Sequence, residues 1–298
     1  MTIKHLVLSG GGPAGFVTYG ILRELQSVEF WDISNVKTIY GCSIGAYMGV
    51  LISLGYDWNT LDDYLIKRPW DKLTNLTAHH FLEAISNRGL FGTELVEAAL
   101  EPLLTAKGLS CKTTLKELYE FTGIEQISYT ANVNSRNLEK TALSHKTFPD
   151  LPIGIALAMT MAVPILFKPI LYESGCYMDG GVLINLPIDD CLEDTGCEKE
   201  EILALRFIWD SDGEDCINED SSLSDYLMAV VRKAQLALCT ERHQTVIPNK
   251  IESIMTSCNG IHTWMDALGK EEMRRQLVDQ GIADAVAFLE TKCTSSIE

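Results

Sequence analysis

The sequence is poor in positive charge. Against 41 Asp and Glu residues stand only 24 Lys and Arg residues, which gives a formal net charge of -17. A surface with this balance repels phosphate backbones and anionic lipid headgroups. We therefore expect no nucleic-acid partner. Because charge cannot draw the protein to a lipid, we expect at most a weak contact with a membrane surface, made by an apolar patch.

Long hydrophobic runs are also missing. The strongly apolar stretch over residues 153–167 contains Pro164 and is shorter than the roughly 20 residues that a membrane-spanning helix needs. The apolar run at the amino terminus soon meets Gly10 and lacks the features of a secretory signal. We therefore expect a soluble, cytoplasmic protein in which residues 153–167 are buried.

The nine cysteines follow no pairing pattern. Their number is odd, they are scattered along the chain, and none of their spacings matches a zinc motif. This pattern is typical of small buried side chains in a reducing compartment. We expect no disulfide framework, no bound metal and no cofactor.

The chain length of 298 residues lies near the upper limit of what one hydrophobic core spans. No internal repeat, low-complexity segment or Pro/Ser-rich linker divides the chain. We therefore predict a single domain over residues 1–298, with its main motifs within residues 4–210 and a helical segment over residues 223–290. The oligomeric state is left open.

The first 55 residues alternate between two kinds of segment. Residues 6–8 and 36–40 are apolar strand candidates, and each is followed by a glycine-rich turn and then by a helix-like stretch. Strands that alternate with helices in this way pair in parallel and carry the helices on the faces of the sheet. The sequence thus predicts an α/β fold.

The first turn reads Gly10-Gly11-Gly12-Pro13-Ala14-Gly15. Glycines let backbone amides approach a negative group closely, and a helix amino terminus adds a favourable dipole. The string also matches the dinucleotide fingerprint, which needs a carboxylate at the end of the second strand. The nearest carboxylate downstream of that strand is Asp57, a full helix later. An oxidoreductase binding FAD or NAD through this loop therefore stays only an alternative.

The second turn reads Gly41-Cys42-Ser43-Ile44-Gly45 and lies between a strand and a helix. This is the nucleophile-elbow pattern, in which a strained turn lifts a serine hydroxyl clear of the sheet. We predict Ser43 as a nucleophile and the amide of Ile44 as an oxyanion donor. Cys42 is predicted to point away from Ser43, with nothing near it to generate a thiolate.

A nucleophilic serine needs a base, and two kinds of candidate are present. His243 or His262 would have to act in the chain order of ordinary α/β-hydrolases, but neither lies in a recognisable strand-end loop. Asp179-Gly180-Gly181 follows a short strand, where a carboxylate beside two glycines can approach another backbone closely. Taken alone, that tripeptide is equally typical of a β-turn.

Taken in order, the three motifs resemble those of the patatin-like phospholipase family. Further similar segments are Gly89-Leu90-Phe91, residues 114–119 and 122–124, residues 158–169, Asn185-Leu186-Pro187 and residues 280–289. The resemblance covers most of the chain and is weak between about residues 210 and 270. It departs from the family at Ala14, where Arg or Lys is common.

The resemblance implies a three-layer patatin-like fold with a central, mostly parallel sheet flanked by helices. It also implies a Ser–Asp dyad without histidine, with Ser43 as nucleophile and Asp179 as base. The oxyanion hole would be formed by the amides of Gly10, Gly11 and Gly12. The turns themselves would depend on the remaining motif glycines, Gly15, Gly41, Gly45, Gly180 and Gly181.

The activity implied by the resemblance is calcium-independent hydrolysis of fatty-acyl esters in phospholipids or related glycerolipids, through an acyl-enzyme. A catalytically silent lipid-binding protein of the same fold is a further alternative. The helices between residues 58 and 104 are expected to line or cover an acyl channel, with Trp58, Trp70, Phe81, Leu90 and Phe91 as candidate lining residues.

Overall fold

The computed structural model describes residues 2–73, 84–209, 217–239, 245–255 and 261–295. Its strands are β1 His5–Leu8, β2 Thr38–Cys42, β3 Gly89–Phe91, β4 Glu125–Asn132, β5 Glu139–Leu143, β6 Ile165–Phe167, β7 Ile170–Tyr172, β8 Gly175–Asp179, β9 Ile202–Trp209 and β10 Lys250–Met255. Its α-helices are α1 Gly15–Ser27, α2 Ile44–Ser53, α3 Trp58–Leu65, α4 Thr93–Ala106, α5 Leu115–Thr122, α6 Ile153–Thr160, α7 Ile188–Thr195, α8 Leu223–Leu238, α9 Ile261–Gly269 and α10 Glu271–Ser295. Within these residues, no helix is both long and apolar enough to cross a bilayer.

One large sheet organises the molecule, in the order β10-β9-β1-β2-β4-β8-β7, with β5 on β4. The five strands from β10 to β4 pair in parallel, whereas β5, β7 and β8 add antiparallel pairings. The predicted central, mostly parallel sheet is therefore confirmed. Strands β3 and β6 form a separate parallel pair.

Both faces of this sheet are covered. Strand β1 is buried throughout, and its alternating side chains enter two cores: Leu6 and Leu8 on one face, Val7 on the other. The first core takes side chains from α1, α2 and α10, and the second takes Ile188 and Cys191 from α7. A strand buried on both faces reads as a continuous apolar run, which is why this segment was recognisable in the sequence. The predicted three-layer α/β fold is confirmed.

The carboxyl-terminal part of the chain differs from the prediction. Residues 223–290 are not wholly helical, because β10 lies among them and pairs in parallel with β9 at the edge of the sheet. Its burial alternates, with Ile251, Ser253 and Met255 inward and Glu252 outward. This is the period of a strand with one solvated face. The large sheet thus runs through both predicted parts of the chain, while the single domain stays a prediction.

Two strand ends meet on one edge of β4. Strand β2 pairs with β4 as far as Cys42, which lies opposite Tyr129. Strand β8 runs the other way and ends with Asp179 opposite Thr130, the next residue of β4. Strand β5 occupies the other edge of β4. The carboxyl ends of β2 and β8 therefore face each other, and this brings distant parts of the sequence together.

A buried arginine of α10 connects this helix to the carboxyl-terminal ends of α3 and α9. Arg274 is 2% exposed, and its guanidinium donates to the carbonyls of Ile66, Arg68, Ala267 and Leu268. These carbonyls belong to the chain just after α3 and to the end of α9. Because carbonyls satisfy the buried donors, the arginine fixes α9 against α3 and α10.

Candidate active site

Ser43 forms the turn between β2 and α2 with φ 53° and ψ −126°, a conformation that is strained for a residue with a Cβ atom. The flanking positions have no room for a side chain. A Cβ atom at Gly41 would lie 2.6 Å from Cα of Ala46, and one at Gly45 would lie 2.2 Å from the carbonyl oxygen of Leu8. The prediction of a strained turn with small flanking residues is confirmed.

A threonine from another helix holds this turn. Thr160 ends α6 and is fully buried. Its Oγ1 accepts a hydrogen bond from the Ser43 amide at 2.9 Å and donates to the carbonyl oxygen of Tyr129. Thr160 is not predictable from the sequence, because one hydroxyl in an apolar helix carries no motif.

Asp179 ends β8 and is 6% exposed. Its carboxylate accepts hydrogen bonds from the Gly181 amide at 2.8 Å and from the Cys42 thiol, with Sγ to Oδ1 at 3.6 Å. Burial raises the pKa of this carboxyl to about 6, although its interactions with the Ser43 hydroxyl, the Gly181 amide and the Cys42 thiol oppose that rise. The residue following it is also constrained, since a Cβ atom at Gly180 would lie 2.3 Å from the Tyr129 carbonyl oxygen.

The prediction for the direction of Cys42 is wrong. Its thiol reaches the same carboxylate as the Ser43 hydroxyl, because alternation of side chains holds along an extended strand and ends where Ser43 takes a positive φ. Burial raises the pKa of the Cys42 thiol well above its usual range. The thiol is therefore protonated, and it acts as a donor to Asp179 and not as a nucleophile.

The first glycine turn is held by an amide side chain. The Gly10 amide donates to Oδ1 of Asn185 at 3.0 Å, and Nδ2 of Asn185 donates back to the Gly10 carbonyl at 3.2 Å. Because its amide already has an acceptor, Gly10 would have to give up this hydrogen bond to act as an oxyanion donor, and that role stays a prediction. The amides of Gly11, Gly12 and Ile44 form no hydrogen bond with any other residue in the described part of the chain.

Gly12 needs to be glycine for two reasons. Its φ is +53°, and a Cβ atom there would lie 2.2 Å from Cζ2 of Trp264. The indole ring therefore packs directly on the loop at Gly12. At the end of the loop, Gly15 packs against the side chain of Ile44.

An apolar cavity of about 100 Å³ lies next to Gly12 and Ile44. Its walls include Phe16 of α1, Met48 of α2, Leu95 of α4, Phe167 of β6 and Trp264 of α9. The lining residues thus come from segments that are far apart in the sequence.

Only some of the residues predicted to line an acyl channel lie at the cavity. Trp70 lines the cavity, whereas Trp58 packs edge-on against Tyr19 outside it. Phe91 does not line the cavity but packs on Phe167, and Leu90 precedes it in β3. Phe81 lies outside the described residues.

No described imidazole reaches Ser43. His145 stacks on Tyr119, and His5 lies at the amino end of β1, at the opposite end of the sheet. The other four histidines, His79, His80, His243 and the side chain of His262, lie outside the described residues.

One group of potential metal ligands occurs among the described residues. His5, Cys197 and Glu201 offer ligand atoms within 4.8 Å of one another. Glu201 is already paired with Lys4, and Nδ1 of His5 hydrogen-bonds the Thr38 hydroxyl at 2.7 Å. The group lies at the amino end of β1, far from Asp179 at the other end of the sheet.

Comparison with known proteins identifies the class. The model of the patatin-like phospholipase family matches residues 6–192, so the chain belongs to this family. A relative, a probable lipid hydrolase of Invertebrate iridescent virus 6, is 33% identical over 188 residues. That match covers 62% of this chain and 62% of the relative, so the chain spans less than two thirds of its length.

Solved structures support the fold. VipD from Legionella pneumophila superposes with a TM-score of 0.55 at 18% identity, over 98% of this chain and 67% of that one. Human GIVD cytosolic phospholipase A2 gives a TM-score of 0.51 at 12% identity, over 97% of this chain and 59% of that one. At these identities the likeness concerns the fold alone.

Proposed function

We propose that the protein hydrolyses fatty-acyl esters of phospholipids or related glycerolipids, with Ser43 as nucleophile and Asp179 as base. The observation that carries the proposal is the closeness of the Ser43 hydroxyl, on its strained turn, to the buried carboxylate of Asp179, whose pKa is about 6. Membership of the patatin-like phospholipase family and the resemblance to a probable viral lipid hydrolase support the same reaction class.

The raised pKa suits Asp179 to accept a proton. At neutral pH the carboxylate is mostly ionised, yet it is more basic than an exposed aspartate, and efficient bases have pKa values near the working pH. As Oγ of Ser43 bonds to the ester carbonyl carbon, its proton passes to Asp179. The Gly181 amide and the Cys42 thiol hold the carboxylate in place during this step.

The negative charge then forms on the former carbonyl oxygen. The amides of Gly11, Gly12 and Ile44 are available for it, and the amino end of α2 adds its dipole. Collapse of the tetrahedral intermediate releases the alcohol, which takes the proton from Asp179 and leaves the acyl group on Ser43. Water activated by Asp179 cleaves that ester, releases the fatty acid and restores the serine. We propose that these steps proceed without calcium.

The apolar cavity is suited to the acyl chain, because it begins beside the proposed oxyanion donors Gly12 and Ile44. Its volume of about 100 Å³ is below the range of about 300–1,000 Å³ typical of ligand pockets. A long chain therefore requires movement of a wall residue such as Trp264. Ala14 supplies no charge for a lipid phosphate, so phospholipids and neutral glycerolipids are both retained as substrates to be compared.

The test is hydrolysis of a series of p-nitrophenyl acyl esters, together with labelling by a fluorophosphonate. The wild-type protein should do both, with calcium chelator present or absent. Ser43→Ala should lose both activities. The matched control is Ser9→Ala, which removes another buried serine hydroxyl, one that lacks a hydrogen-bond partner in the described structure. It should behave as the wild type does.

The other outcomes separate the alternatives. Labelling that persists in Ser43→Ala would contradict the assignment of the nucleophile. A wild-type protein that binds lipid but neither turns over nor labels would be the catalytically silent relative. Activity that disappears with chelator would overturn the proposed calcium independence.

A further inference from the structure

Helix α8 lies beside the proposed catalytic carboxylate. Its inner side contacts the turn Gly180–Val182, directly after Asp179, and strand β6. The amide nitrogen of the Gln235 side chain lies 3.1 Å from where a Cβ atom of Gly181 would be. Ala229 on this side is buried. The helix therefore packs directly against the turn that follows Asp179.

The outer side of α8 is apolar. Leu223 is 70% exposed, Tyr226 51% and Val230 46%, and Leu227 is also exposed. These positions recur at three- and four-residue spacing and so form one stripe along the helix. A helix on the surface of a globular protein normally presents polar residues on such a face. Contiguous apolar exposure of this kind marks a contact surface.

The charges of α8 and of the whole chain limit which kinds of partner can bind the stripe. The helix carries one acidic residue, Asp225, which belongs to the capping box with Ser222, and two basic residues, Arg232 and Lys233. Its net charge is thus slightly positive, whereas the whole chain carries -17. A second copy of this chain would be repelled by that overall charge, and so would an anionic lipid surface. A zwitterionic lipid surface carries no net charge and does not repel the protein. Its acyl-chain region can accommodate the apolar side chains of the stripe.

We propose that α8 docks the protein on zwitterionic phospholipid bilayers through the stripe of Leu223, Tyr226, Leu227 and Val230. The inference rests on the proposed function, since it names the surface from which the same site draws its substrate. Leucine and valine side chains enter the boundary between headgroups and acyl chains, and the tyrosine ring suits the interface itself. Because the inner side of α8 packs on the turn that follows Asp179, docking through its outer side would hold that turn within about one helix diameter of the lipid surface.

The experiment measures binding and hydrolysis separately. Binding is co-sedimentation with phosphatidylcholine vesicles at low and high salt, and hydrolysis is followed on those vesicles and on a soluble short-chain p-nitrophenyl ester. The test variant replaces Leu223, Tyr226 and Val230 by Ser. The matched control replaces three exposed apolar residues elsewhere, Val28, Phe121 and Val286, by Ser.

For the test variant, we expect vesicle binding and vesicle hydrolysis to fall by about 10-fold or more, as the loss of three buried apolar side chains implies. Hydrolysis of the soluble ester should change less than about two-fold, and the control should match the wild type in every assay. High salt should not weaken wild-type binding, because apolar contact is not screened.

The docking surface would be overturned by a test variant that binds vesicles as well as the wild type, by a control that loses binding equally, or by wild-type binding that disappears in high salt. A wild-type protein that hydrolyses the soluble ester but does not bind vesicles would also overturn it, and the proposed function would stand. Vesicle binding that depends on the stripe without any ester hydrolysis would instead support the docking surface and reject the proposed function.

Discussion

The two glycine turns of the site can be compared directly, because they follow neighbouring parallel strands. The turn after β1 offers only backbone amides, at Gly11 and Gly12, and its geometry depends on the absence of side chains. The turn after β2 offers a side chain, Ser43, on a strained backbone. Two turns of similar sequence and position thus have different roles in the proposed mechanism: one would stabilise charge and the other would form the bond to the acyl group.

Both turns depend on a polar residue from elsewhere in the chain. Asn185 satisfies both backbone groups of Gly10, and Thr160 binds the Ser43 amide. Neither turn is therefore complete as a local motif. In this structure each turn and the residue that anchors it are thus far apart in the sequence, and each turn can be tested by removing its anchor alone.

The largest effect is expected when the side-chain turn loses its base. Asp179→Asn keeps an acceptor for the Ser43 hydroxyl but cannot take its proton, so ester hydrolysis should fall by about 10³-fold or more. Stability should change in the opposite direction, because the difference between a pKa of about 6 and the usual 3.8 means that burying the charge costs about 3 kcal/mol. The free energy of unfolding at pH 8 should therefore rise by up to about that amount.

Kinetics and denaturant titration check this prediction. The control is Asp150→Asn, which neutralises an exposed carboxylate and should alter neither quantity appreciably. Hydrolysis by Asp179→Asn at the wild-type rate would contradict the proposed base. A stability gain that is as large at pH 3 as at pH 8 would show that the buried charge is not its source.

A smaller loss is expected when the backbone turn loses its anchor. Asn185→Leu leaves both groups of Gly10 without their partner, so the loop should shift and misplace the Gly11 and Gly12 amides. Removing one oxyanion donor typically costs about 10²–10³ in kcat, and we expect a decrease of about 10²-fold. Fluorophosphonate labelling of Ser43 should slow in parallel. Asn134→Leu, which removes an exposed asparagine, is the control. Unchanged kcat in Asn185→Leu would show that the loop keeps its conformation without the Asn185 side chain.

A comparison of two variants tests the anchor of the side-chain turn. Thr160→Val leaves the Ser43 amide and the Tyr129 carbonyl unpaired in the interior, at about 1–3 kcal/mol for each group. We expect the free energy of unfolding to fall by about 2–4 kcal/mol and kcat by about 10-fold. Thr160→Ser keeps the hydroxyl and should stay close to wild type in kcat. If the serine variant loses as much activity as the valine variant, the packing of the Thr160 methyl group, and not its hydrogen bonds, determines the conformation of the turn.

The sequence sufficed for the parts of the site that are local. A buried strand, glycines at fixed positions and a following helix can all be recognised within about ten residues, and Ser43 with its flanking glycines follows from them. Asp179 needed the order of three motifs, because no local rule brings the end of β8 to the end of β2. That meeting depends on β4, along which the two strands pair end to end.

The remaining parts depend on contacts that no local pattern contains. Thr160 is one hydroxyl in an apolar helix, and Trp264 reaches Gly12 from a segment in which the family resemblance is weak. Gly10 was predicted as a donor because all three glycine amides look alike in sequence, and only Asn185 distinguishes them. Strand β10 was missed although its alternation was readable, because it lies between long helices.

The smallest effect is a shift in pH dependence, and it distinguishes the two turns. Activity should rise with pH to half its maximum near pH 6, where Asp179 ionises, and should fall about 10-fold for each unit below that. Asn185→Leu should lower the maximum without moving this midpoint, because no group in the backbone turn titrates. Cys42→Ala removes a hydrogen bond that favours the charged carboxylate, so its midpoint should move upward by a fraction of a unit. Profiles of kcat/KM for the soluble ester measure all three. A midpoint that moves in Asn185→Leu and stays in Cys42→Ala would reverse the roles assigned to the two turns.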